Sequence, residues 1–185
     1  MATAKTGSFY LTETVTLSAG SAAGSRIQGS IDLGAYVNVA TGQAIAIDQV
    51  DFVYQVGSDN SSDAESFFAT SNGTLGVQLT DLNPGTAFVR ADNHSLIASG
   101  ALNVDIANNL TSHHSDLYPD NFGPASLSEA FMVVNDSLYL VGGADGGATN
   151  AGQHISITAR IRCRVVKLSN KDFVAIAIQS TASDN

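Results

Sequence analysis

Along most of the chain, apolar and polar residues alternate with a period of two, the spacing that sends successive side chains to opposite faces of a strand. From Phe9 to Leu17 the odd positions read Phe9, Leu11, Glu13, Val15 and Leu17, against Tyr10, Thr12, Thr14 and Thr16. This predicts a half-buried strand. The stretch from Ile27 to Val37 repeats the pattern, with Ile27, Ile31, Leu33, Ala35 and Val37 on one side and Arg26, Gln28, Ser30 and Asp32 on the other. Ile45 and Ile47 begin a third strand, but beyond Asp48 and Gln49 the apolar parity switches to Val50, Phe52, Tyr54 and Val56. A parity switch inside one strand is the mark of a β-bulge, where one extra residue enters the ladder and bends it.

Further along the signals shorten. Short strands are expected at 66–69 and 75–79, with Asn72 and Gly73 between them, and Asn83-Pro84-Gly85 marks a turn. Two more strands are expected around 87–91 and 94–106. Residues 108–126, which hold Pro119 and Pro124, read as one long irregular loop of the kind that often sits at a contact surface. Segments 129–134 and 137–141 flank Asn135 and Asp136 as a hairpin; a short helix over 126–132, capped by Ser126 with Glu129 three residues on, competes for the first of them. Residues 142–152 read as a Gly/Ala/Asn loop. The final hairpin runs from 154 to 168, turns at Ser169 to Lys171 and returns over 173–179. Turn signals recur at intervals of roughly 8–12 residues and bound about eight strands. The fold class is all-β: a single jelly-roll β-sandwich or barrel occupying residues 1–185 as one domain, with short flexible ends at 1–6 and 180–185.

Composition narrows the function. Only 14% of the residues are charged, and polarity comes from Ser, Thr, Asn and Gln. Neutral polar faces suit extensive protein contact, because charged groups are costly to desolvate at an interface core; they equally suit the solvent side of an ordinary sheet. The net charge of −9 argues against nonspecific nucleic-acid binding. Asp is the main acid, which fits turns, since its carboxylate bonds nearby backbone. One cysteine, Cys163, excludes an internal disulfide framework and any zinc site built on cysteines. Met1 to Gly7 lack the apolar stretch of a secretory signal, and no run of ~18 apolar residues occurs, so the product is expected to be soluble when made.

Candidate chemistry is sparse. His113, His114, Asp116 and Asp120 are residue types a metal uses, but neighbouring side chains on extended backbone diverge, so no metal and no other cofactor is expected. At a subunit contact His113 or His114 would make assembly pH-sensitive. The glycine-rich run from Gly142 to Gly147 lacks the Lys-Ser/Thr of a phosphate loop and the spaced acids of a calcium loop. Sequons at Asn60, Asn72, Asn93, Asn109 and Asn135 are what chance gives in a chain this rich in Asn, Ser and Thr. No catalytic residue is assigned and the chain is not expected to be an enzyme.

The strongest local pattern is in the last hairpin. Ile155, Ile157, Ala159, Ile161, Cys163 and Val165 share one face of a strand, and Arg160, Arg162 and Arg164 share the other. Three guanidiniums spaced about 7 Å apart repel one another, so carboxylates on a neighbouring strand or subunit are their natural partners. Arg160, Arg162, Arg164, Cys163, His113 and His114 are therefore the candidate subunit-interface residues. Cys163 faces inward as a small buried side chain by default, with an intersubunit disulfide as the alternative.

Gly29 to Val37 and Ala46 to Phe52, set in a lysine-poor chain of strands that ends in the arginine-lined hairpin, look like strands of archaeal virus coat proteins. In size and character the whole chain resembles the smaller single-jelly-roll major capsid protein of internal-membrane icosahedral archaeal viruses (sphaerolipovirus-like). The resemblance lies in style along the whole length and not in a diagnostic motif. It implies a structural capsid protein of the virion shell, made in the host cytoplasm, that partners itself and a second, larger jelly-roll capsid protein above an internal membrane, without cofactor, catalysis or direct contact with nucleic acid. The alternative from the residues is a receptor- or carbohydrate-binding sandwich of the spike or adhesin type, against which stands the absence of Trp. A metal enzyme on a jelly-roll scaffold is a weaker rival, since it needs converging histidines and only four are scattered here.

Overall fold

The computed structural model describes residues 2–63, 66–116 and 130–181. Among the described residues, ten strands and one α-helix follow in order: β1 (Thr3–Ala4), β2 (Phe9–Leu17), β3 (Arg26–Asp32), β4 (Gln43–Val56), β5 (Gly73–Thr80), β6 (Leu96–Asp105), β7 (Leu110–Asp116), β8 (Phe131–Val133), β9 (Ser137–Asp145), β10 (Ile155–Lys167) and α1 (Asn170–Thr181). They form two antiparallel five-stranded sheets. In the first, β10 is flanked by β2 and β4, β8 lies beyond β4, and β1 pairs with the far end of β10. In the second, the order is β3-β9-β5-β6-β7.

The pairing is nested. β2 pairs with β10, β3 with β9, β4 with β8, and β5 with β6, so the first half of the chain is matched against the second half from the outside inward. Consecutive pairs fall alternately in the two sheets, which is the rolled double Greek key of a jelly roll. β7 is an addition at the free edge of the second sheet. The core between the sheets is dry and aliphatic, with Ile45, Ile47, Leu75, Leu79, Leu138, Leu140, Ile155, Ile157 and Ile161 all wholly buried.

The parity switch in β4 has the cause inferred from its pattern. Arg162 pairs with Gln49 and Cys163 with Ile47, so Asp48 is the extra residue. Before it, Ile45 and Ile47 face the core; after it, Val50, Phe52, Tyr54 and Val56 do.

Six expectations need correction. The return strand over 173–179 is α1. Ser169 caps it: its Oγ accepts from the Asp172 N–H at 3.2 Å and its carbonyl from the Phe173 N–H at 2.9 Å. Phe173, Ile176, Ala177 and Ser180 then fall at helical spacing and cover Ala44, Ala46, Val166 and Leu168 on the outer side of the first sheet. The loop expected at 108–126 contains β7, an edge strand whose polar residues carry no alternation, held to β6 through backbone bonds; the remainder of that stretch lies outside the described residues, as do Asp120 and the capped start of the competing helix at 126–132. Segments 129–134 and 137–141 do not form a hairpin. β8 is in the first sheet and β9 in the second, and the Asn135-Asp136 bend carries the chain between them. The glycine loop expected from 142 is strand to Asp145, because glycine is what close packing there demands: a Cβ on Gly142 would stand 2.8 Å from Val15 Cγ2 and 3.1 Å from Ile157 Cδ1. Residues 87–91 form no strand and instead lie across the second sheet; 66–69 contribute only the bridge from Phe68 to Thr149.

Candidate interaction face

The outer sides of the two sheets differ. On the second sheet, the 81–95 connection folds back over β5 and β3. Phe88 lies on Gly76, where a Cβ would meet its ring at 2.9 Å, so only glycine leaves room for it. The Arg26 guanidinium stacks over the same ring at 4.4 Å and pairs with Asp145 at 2.6 Å. Gln78 clamps Val89 by both its amide groups, donating at 2.9 Å and accepting at 2.7 Å, and the Gln28 amide donates to Asn83 Oδ1 and to the Gly85 carbonyl. This sheet is roofed by its own loop.

The root of that roof is a buried carboxylate. Asp81 is 2% exposed; its Oδ2 and its carbonyl both accept from Asn135 Nδ2 at 3.1 Å, while Oδ1 has no partner. Burial pushes the carboxyl up to about 6, against the lowering effect of its backbone hydrogen bond and of Asn135. Asn135 is thus committed to the fold, as are Asn72, whose Oδ1 accepts from the Ile106 N–H, and Asn93, whose Oδ1 accepts from the Ser95 N–H.

On the first sheet, α1 roofs one end only. Beyond it no other described residue covers the outer side of β2, β10 and β4. Register fixes the array: Arg164 beside Ala46; Arg162 between Tyr10 and Gln49; Arg160 between Thr12 and Asp51; Thr158 between Thr14 and Val53; Ser156 between Thr16 and Gln55. Arg164 is used internally. Its Nη2 lies 2.6 Å from Asp48 Oδ1, and Asp48 is almost wholly buried because the bulge tucks it beneath the strand. Ser8 Oγ donates to the other Asp48 oxygen at 3.4 Å. Arg160 and Arg162 are not so consumed: no carboxylate among the described residues pairs with either. Arg160 sits 5.3 Å from the ring of Tyr10, itself 52% exposed. Asp51, in register with Arg160, accepts instead from Gln49 at 2.9 Å. Farther out the hydroxyls pair across the strands, Thr14 with Thr158 at 2.9 Å and Thr16 with Ser156 at 3.2 Å.

The remaining candidate residues separate. Cys163 is wholly buried in the core, and desolvation first, then the nearby Asp48 charge, push its thiol up to about 12. Its sulfur therefore lies on the opposite side of β10 from the arginines. His113 is exposed on β7 in the other sheet, its ring edge-on to Tyr54 with centroids 5.9 Å apart. Tyr54, inward on β4, keeps an unpartnered hydroxyl, and burial raises its pKa. His114 holds the β7 position opposite Ala101, and its side chain lies outside the described residues. The structure thus gathers the three arginines on one face and places the histidines elsewhere. The feature that sequence reasoning missed is the roof over the second sheet, for which the signals were Gly76 and Phe88.

Clefts of about 340 and 500 Å³ flank Leu110 at the β6–β7 turn. Among the described residues no three His, Cys, Asp or Glu side chains come together as metal ligands, and no helix is long and apolar enough to cross a membrane.

No family model matches the chain, and no curated protein matches it. Among solved structures, one titled Desmodium yellow mottle tymovirus is similar at a TM-score of 0.34 and 8% identity, over 89% of this chain and 91% of that one. The jelly-roll assignment rests on the nested strand pairing described above.

Proposed function

We propose that this chain is a structural shell protein whose sandwich packs laterally against other protein subunits through the open outer side of the first sheet. The observation that carries the reading is the contrast between the two outer faces. A jelly roll that roofs one sheet with its own loop and leaves the other as a flat polar platform has one side built for contact. Arg160, Arg162, Tyr10 and the threonine rows form that platform. Neutral hydroxyls desolvate at low cost, and guanidiniums and tyrosine are the side chains enriched in protein interfaces. Each contact is weak on its own, but many repeated in a closed shell hold together.

In its finer form the proposal is a viral capsid protein of an icosahedral virion, made in the host cytoplasm, assembling with copies of itself and with a second, larger jelly-roll protein over an internal membrane, without catalysis. Sedimentation velocity and electron microscopy across salt and protein concentrations test it. Regular particles or discrete oligomers are the expected result. A monomer in every condition, alone and with jelly-roll partners, overturns the proposal; binding of that monomer to a glycan array would assign the platform to carbohydrate recognition.

A further inference from the structure

We propose that the arginine platform of the first sheet docks onto the acidic second-sheet side of another copy of this chain, so that subunits join head to tail and not face to face. This rests on the reading that the chain self-associates, and it names which surfaces meet.

Charge is divided unevenly between the two sides of the sandwich. Six of the eight basic residues (Lys5, Arg160, Arg162, Arg164, Lys167 and Lys171) belong to the first sheet, its N-terminal extension and α1. The second sheet and its connections hold the other two, Arg26 and Arg90, each already beside an aspartate, at 2.6 and 3.5 Å. The second sheet and its connections also carry Asp32, Asp92, Asp105, Asp136 and Asp145. A chain of net charge −9 has thus placed nearly all of its positive charge on one side. The two sides of one molecule are electrostatic complements.

Face-to-face docking of two platforms is the competing geometry, and charge disfavours it. It would set Arg160 and Arg162 of one copy against the same pair of the other, with Asp51 as the only free carboxylate among the described residues of the platform. One carboxylate per two guanidiniums leaves like charges buried together, which costs several kcal/mol. Head-to-tail docking gives each guanidinium an acidic surface instead. Such heterologous contacts close into rings, or continue as open arrays when the rotation does not close. Size agrees with a contact that works by repetition. Three strands ~4.8 Å apart and about nine residues long present roughly 400 Å², half of the ~800 Å² per partner in a standard stable interface.

The test is charge reversal read by self-association, with thermal melting as the control for folding. R160E, at the exposed position, should leave melting unchanged while self-association weakens, and R160E/R162E, which also reverses the half-buried Arg162, should weaken it at least about tenfold. D32K/D105K on the acidic side, at β3 and β6, should weaken it comparably. Mixed in equal amounts, the two double variants should recover association, because the reversed platform of one then matches the reversed side of the other; that recovery also shows both to be folded. Wild-type association should weaken as salt rises from 0.05 to 0.5 M, as expected for a contact between exposed charges. Full association of R160E/R162E, or no recovery on mixing, overturns the head-to-tail assignment while leaving self-association standing. Absence of wild-type association in any buffer would instead remove the function proposed above.

Discussion

The two sheets have similar interiors and unlike exteriors. Toward the core both present Ile, Leu and Val. Outward, the second sheet is closed by Phe88, Arg26 and the 81–95 loop, and its guanidinium is satisfied by Asp145. Among the described residues the first sheet is closed only by α1, and past the Arg164–Asp48 pair no described carboxylate pairs with its guanidiniums. The difference teaches where stability ends and interaction begins. The same residue type, arginine, acts as a fold element wherever a carboxylate of the chain reaches it, and as a free surface group where none does. Arg164 and Arg160 lie four residues apart on one strand and fall on opposite sides of that line.

The sharpest way to break the comparison is therefore to remove Arg164. Asp48 is 3% exposed, so Arg164→Met leaves a buried carboxylate without its counter-charge, and the expected loss is about 3–5 kcal/mol in chemical unfolding. Arg160→Met, two steps along the same face, should cost less than about 1 kcal/mol, since only an exposed contact with Tyr10 is lost. Equal losses at the two positions would mean that the line between fold and surface is drawn in the wrong place. Adding Asp48→Asn to Arg164→Met should restore much of the stability, because the stranded charge is gone.

The next effect lies at the root of the roof. Asp81 is held near 6 in the folded chain by burial, above the ordinary carboxylate value, so folding favours its neutral form. The cost of ionising it is absent below about pH 4, where the unfolded carboxyl is also protonated, and complete above about pH 6. Stability should fall over that window by on the order of 2–3 kcal/mol. Asp81→Asn should be the more stable protein at pH 8 and should lose this slope. Asp136 on the Asn135 bend and His94, Asp92 and Arg90 on the loop also stand on elements packed around Asp81, but no charge appears among the causes of its shift. A slope that survives in Asp81→Asn would move the pH dependence to another carboxyl, first Glu13, which burial also raises.

These two sites also show what the sequence made legible. Alternation located β2, β4 and β10 because each has one face in the core and one face polar, and the parity switch marked the bulge at Asp48. From the same alternation the arginine face and the inward Cys163 could be read. The misreadings share a cause: packing on a second side. Ala44 and Ala46 are outward yet buried, because α1 covers them, and the Phe173–Ile178 segment that covers them is as apolar at alternate positions as a strand. Only the cap at Ser169 distinguishes it. Gly142 and Gly143 resembled a loop because two sheets and the Arg26 side chain crowd them from either side. Asn135 resembled a hairpin turn, whereas its amide is spent on Asp81, more than fifty positions back along the chain. Long-range partners of this kind leave no local pattern.

Two smaller effects, one on each sheet, separate roof from platform most directly. Phe88 is half-buried, touching Gly76 and Arg26 but no part of the core between the sheets, so Phe88→Ala should cost only about 1–2 kcal/mol. Its consequence should be local: hydrogen exchange at the Val89 N–H, which donates to Gln78 Oε1, should speed up while the amides of β10 stay protected. Thr14→Val with Thr158→Val on the platform should change stability by no more than about 0.5 kcal/mol, because two exposed hydroxyls bonded only to each other are removed together. If the platform is an interface, that double variant should nonetheless alter self-association, since its methyl groups replace hydroxyls at the centre of the open face. A loop that matters to folding and not to association, beside a hydroxyl pair that matters to association and not to folding, is the pattern that two differently finished sheets require.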